Sequence, residues 1–94
     1  MREYELVFIV HPDLDETALK EVVDKVQAWI TDAGGSITKV DLWGKRRLAY
    51  DIKKQREGQY VLMHAQMDPQ FTAELERNFR FMEPVMRFLV TLAE

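Results

Sequence analysis

The chain has 94 residues, 47% of them hydrophobic, with 13 Lys and Arg, 16 Asp and Glu and no cysteine. That length makes one small domain, residues 1–94, able to bury a core but with a stability margin of only about 5–10 kcal/mol. The missing cysteine excludes disulfides, thiolate metal sites and thiol catalysis, and a formal charge of −3 opposes indiscriminate nucleic-acid binding.

In chain order, Met1-Arg2-Glu3-Tyr4-Glu5 carries acids where a signal peptide needs a basic region. The apolar run behind it is too short to span a bilayer, so a cytoplasmic protein is expected. Residues 3–10 alternate, with Tyr4, Leu6, Phe8 and Val10 on one face and Glu5, Val7 and Ile9 on the other. Both faces are largely apolar, which predicts a strand inside a sheet, ended by His11-Pro12-Asp13. Asp13 or Asp15 then caps a helix with Glu16 in its positive first turn. Its stripe of Leu19, Val22, Val23, Val26, Trp29 and Ile30 at three- and four-residue spacing buries one side. Gly34-Gly35 stops it.

From Ser36 the period returns to two, and the alternation runs through Gly44 to Leu48, Tyr50 and Ile52. Gly44 and Gly58 mark places for a bulge or a turn. A turn is expected over residues 55–58, followed by a third strand over residues 59–67, making a long hairpin. Asp68-Pro69 opens a second helix with Phe71, Leu75, Phe79 and Met82 inward, and Pro84 ends it. Residues 85–92 read as a last strand, apolar apart from Arg87 and Thr91. The order β-α-β-β-α-β with right-handed crossovers predicts an α+β, ferredoxin-like fold. Both helices then lie on one face of a four-stranded antiparallel sheet with the first and third strands central. Phe8, Leu19, Val26, Ile30, Leu62, Leu75, Phe79 and Leu89 are its expected core.

Charge is unevenly placed. Residues 45–57 hold six basic and two acidic side chains, a local +4 against −7 for the rest. Arg and Lys on an edge strand hinder pairing with stray strands. They also suit contact with phosphates, and the two roles are compatible. Trp43 and Tyr50 stand among these charges. The third strand nevertheless reads Tyr60-Val61-Leu62-Met63-His64-Ala65, without the aromatic signature of the commonest RNA reader on this fold.

Enzyme readings find little support. His11 and His64 are the only histidines, and the alternation makes His64 a sheet-face residue. No His and carboxylate set has metal spacing, no glycine-rich phosphate loop occurs, and Ser36 is the only serine. No cofactor or catalytic residue is expected. The rival to an RNA-binding protein is a ferredoxin-like small-ligand regulatory domain or an acylphosphatase-like hydrolase. The latter needs a phosphate-cradling loop after the first strand, where this chain has His11-Pro12-Asp13-Leu14.

The run from Gly44 through Lys53, with Gly58 and Tyr60, resembles the signature of the bacterial small-subunit ribosomal protein S-six family. Tyr4-Glu5, Pro12, Leu14 and Val85-Met86-Arg87 match as well, while Asp51 stands where the family often has proline. The resemblance implies a structural, non-catalytic component of the small ribosomal subunit. It implies contact with small-subunit ribosomal RNA and assembly with the small protein S-eighteen. RNA contacts are expected from Arg2, Lys53, Lys54, Arg80 and Arg87, in two patches: the lysines at the hairpin tip, and Arg80 with Arg87 near the last helix–strand junction. Asp41, Lys45, Arg46 and Arg47 are expected to form a charged rim used mainly for the partner protein.

Overall fold

The computed structural model describes residues 1–93. The elements are β1 (Arg2–Val10), α1 (Glu16–Asp32), β2 (Ser36–Ile52), β3 (Gln55–Met67), α2 (Phe71–Arg80) and β4 (Val85–Leu92). The sheet order is β2-β3-β1-β4 with every neighbouring pair antiparallel. β1 and β3 are therefore central, and each helical crossover returns the chain to a strand parallel to the one it left. This is the expected ferredoxin-like arrangement.

The alternation of β1 decides which face is dry. Leu6, Phe8 and Val10 are fully buried, as are Val61, Met63 and Ala65 of β3. They pack against Leu19, Val22, Val23, Val26 and Ile30 of α1 and Leu75 and Phe79 of α2. Phe79 is the hub of the aromatic contacts. Its ring lies 5.2 Å from Phe8, 5.1 Å from Phe88 and, edge-on, 5.7 Å from Trp29, arrangements that add to simple area burial.

The helix ends follow their capping residues. Asp15 accepts the Ala18 N–H at 2.8 Å and sets the start of α1, and Gly34, at φ +90°, carries the chain out of it. The second helix begins two residues later than Asp68-Pro69 suggests. Asp68 accepts the Gln70 N–H on its side chain and the Phe71 N–H on its carbonyl, both at 2.9 Å. Its capping capacity thus closes a separate turn, and α2 starts at Phe71.

Three expectations are corrected. The hairpin turn is not at residues 55–58: the reversal occurs at Lys53-Lys54, because both adopt positive φ (49° and 65°) and let Ile52 face Gln55 directly. Gly58 consequently lies inside β3, where a Cβ would come within 2.3 Å of the Ile9 methyl; it permits close approach of a side chain rather than a turn. Leu89 is not core but 60% exposed, because its register with Val7 puts it on the sheet face away from the helices. Leu62 shares that face through its own pairing with Val7. It is buried there but lies outside the main core cluster.

Candidate nucleic-acid interface

β1 ends at Val10, opposite Gln59. Beyond that point, among the described residues, β2 and β3 have only each other as strand neighbours and run on as a two-stranded arm, residues 45–59. The pairing within the arm is uneven. Arg47 faces Glu57 and Ile52 faces Gln55, so residues 48–51 have no regular partners. The extra length on β2 carries Leu48 and Tyr50 over the helix-free face. There Leu48 is buried with Ile9 and Met86, flanked by Ile52 and Tyr60. This small second core lies on the opposite side of the sheet from the main one.

Alternation and one bulge distribute the expected partner residues. The register shifts between Leu42 and Gly44, with Gly44 at φ +79° and nothing near its missing side chain. The glycine is there for its backbone. Trp43 donates its indole N–H to Asp41 at 3.2 Å, stacks on Tyr60 at 6.1 Å and lies beneath the Arg46 guanidinium at 5.3 Å. Asp41 and Arg46 are thereby joined through an aromatic pair on the open face. Lys45 pairs with Gln59 on the helix side, and Arg47 with Glu57.

The expected RNA contacts are dispersed. Lys53 and Lys54 form the exposed tip of the arm. Arg2 is at the far end of β1, opposite Met67. Arg80 is the last residue of α2 and belongs to the helix layer. Arg87 pairs with Ile9 on the open face, so Arg80 and Arg87 do not make the patch expected of them: the sheet lies between. Instead Arg87 donates from Nη1 to the Tyr50 hydroxyl, with its guanidinium 5.8 Å from that ring. It belongs with the arm.

At the other end of the open face His64 contacts Glu5 at 3.0 Å and lies 3.9 Å from Glu3, with Lys39 opposite it in β2. His64 is the sheet-face residue its alternation indicated. The face is thus acidic at one end and cationic-aromatic at the other. Sequence reasoning missed Gln59, 7% exposed, whose amide donates to the carbonyls of His11 and Leu14 at 3.1 and 2.9 Å and ties the β1–α1 loop to the arm's base. The available signal was its phase: Gln59 shares the alternation of Val61, Met63 and Ala65, the apolar face of the strand. Among the described residues no group of three or more His, Asp or Glu could hold a metal ion, and no helix is long and apolar enough to cross a membrane.

The family model for Ribosomal protein S6 matches residues 3–91, nearly the whole chain. The chain belongs to the ribosomal protein S6 family. Similar proteins include the small ribosomal subunit protein bS6 of Moorella thermoacetica, 47% identical over 94 residues that cover all of this chain and 96% of the relative. The bS6 of Clostridium botulinum strain Hall is also 47% identical, with both chains fully covered. The crystal structure of 30S ribosomal protein S6 from Thermotoga maritima superposes with a TM-score of 0.91 at 34% identity, over 97% of this chain and 86% of that one. Members of the S6 family are structural components of the small ribosomal subunit. The chain is accordingly a non-enzymatic ribosomal protein whose place is the ribosome in the cytoplasm, and the hydrolase and ligand-sensor alternatives lapse.

Proposed function

We propose that the chain binds small-subunit ribosomal RNA through the tip of the hairpin arm and docks a protein of the S-eighteen kind along the outer edge of β2. The observation that carries the RNA half is the turn itself. Two consecutive positive-φ residues are the backbone of a tight hairpin turn that Asn-Gly forms with least strain, yet Lys53 and Lys54 occupy both positions. Local strain retained at an exposed site marks a place where the side chains matter more than the backbone's comfort. Here they are two adjacent ammonium groups in a protein whose net charge is −3. Arg2 and Arg80 serve as separate phosphate contacts away from the arm, and Arg87 borders it.

The partner half rests on the edge. Among the described residues β2 has a strand neighbour on one side only, and it exposes Val40, Leu42 and Trp43 beside Asp41, Lys45, Arg46 and Arg47. Apolar residues interleaved with both signs of charge on an open edge suit coverage by another protein more than by nucleic acid. The acidic remainder of the surface makes a two-component complex more effective than the protein alone, since long-range repulsion opposes its unaided approach to RNA.

Reconstitution tests both halves. The protein, an S-eighteen protein and small-subunit ribosomal RNA are mixed in pairs and together, and retention on RNA is measured. The expected result is a protein–protein complex and tight, salt-sensitive RNA binding of the ternary mixture. Absence of retention in every combination would overturn the proposal.

A further inference from the structure

Two-stranded ribbons are marginal in water, and the arm of this protein is one from residue 45 outward, with its ladder interrupted at residues 48–51. Something besides β pairing must fix its direction. Two attachments lie within its outer part, beyond the Gln59 bonds at its base. Leu48 is seated against Ile9 and Met86, and Tyr50 meets Arg87 of β4 through its hydroxyl and its ring. β4 is the edge strand furthest from β2 in the sheet order. The second attachment therefore ties one edge of the sheet to the other across the open face.

We propose that the Tyr50–Arg87 pair is a latch that sets the orientation of the arm, and that Arg87 is a positioning residue rather than a phosphate ligand. The chemistry favours this use of arginine. A planar guanidinium donates to the hydroxyl while attracting the ring's negative face, two contacts from one rigid group. Tyr50 is 60% exposed, so burial contributes little to holding it, and the polar contact is what fixes its ring. The arm carries Lys53 and Lys54 at its tip. A latch at Tyr50, three residues before the tip, limits the volume those lysines sweep and so reduces the ordering that binding must supply.

The test is amide hydrogen exchange on the free, full-length protein, comparing Arg87→Met, Tyr50→Phe and the double variant. Met keeps an unbranched apolar stem on β4 while removing both contacts, and Phe removes only the hydroxyl. In Arg87→Met the paired amides of residues 45–47 and 55–58 should exchange about tenfold faster or more, a local opening, with the amides of residues 4–8 unchanged. Tyr50→Phe should shift the same amides less, and the double variant should exchange no faster than Arg87→Met alone. Unchanged arm exchange in Arg87→Met, or additive effects in the double variant, would overturn the latch.

A second readout rests on the RNA-binding reading above. Arg87→Met should weaken RNA binding while leaving the slope of log affinity against log salt as in the unaltered protein. A slope lower by about one unit would make Arg87 a phosphate ligand and overturn its assignment. If the unaltered protein fails to bind RNA, that reading falls while the exchange result still decides the latch.

Discussion

Phe8 sits at the centre of β1 with no exposed surface and its ring against Phe79. Replacing it with alanine removes a large apolar group from a site walled by two helices and a neighbouring strand. Phe8→Ala should lower the unfolding free energy by about 3–5 kcal/mol, measured by urea titration. Leu89→Ala provides the contrast: its 60% exposed side chain should cost less than about 1 kcal/mol, as surface substitutions generally do. If the two variants were equally destabilised, the assignment of faces in the sheet would be wrong. Gln59 gives a second, polar, case. Gln59→Leu fills about the same volume but removes the amide donor from the Leu14 carbonyl and leaves the His11 carbonyl with only the Leu14 N–H at 3.3 Å. It should cost about 1–3 kcal/mol, the penalty for stranding partly buried acceptors. A fully stable variant would show that water replaces the amide.

At the scale of elements, strand alternation and helix stripes indicated the six elements, and right-handed crossovers the order of the sheet, though not the hairpin turn or the start of α2. The details that escaped depend on contacts between segments far apart in sequence. Gly58 looked like a turn residue because glycine is common in turns, whereas its role is set by Ile9, a residue of another strand. Leu89 looked like core because β4 is apolar on both faces; only its register opposite Val7 reveals the side it occupies. Arg87 and Tyr50 lie 37 residues apart, and no periodicity links them. The charge cluster of the arm was legible, but the turn within it was not, since Lys-Lys is no turn signal. The strain at that turn is measurable. Lys53→Asn with Lys54→Gly should stabilise the protein by roughly 1 kcal/mol, because these residues enter the left-handed region with less strain; unchanged or reduced stability would contradict the turn geometry. Along the edge of β2, Arg46→Ala with Arg47→Ala should leave the fold intact, since exposed charges contribute little to stability, yet, on the proposed docking, weaken binding of an S-eighteen protein. Undiminished partner affinity in a pull-down titration would remove β2 from that interface.

For the molecule as a whole, the deciding quantity is where its charge lies. A protein of net charge −3 is repelled by RNA at a distance, so on the proposed reading it approaches RNA through its positive arm. The number of phosphates it neutralises is what salt reports, because each contact releases condensed counterions. The most direct test is therefore the salt dependence of RNA binding by the protein–partner complex, with and without Lys53→Ala and Lys54→Ala. The slope of log affinity against log salt should flatten by up to about two units in the double variant, somewhat less than one per lost contact. An unchanged slope would place the RNA elsewhere on the protein and leave the tip of the arm a solvated turn.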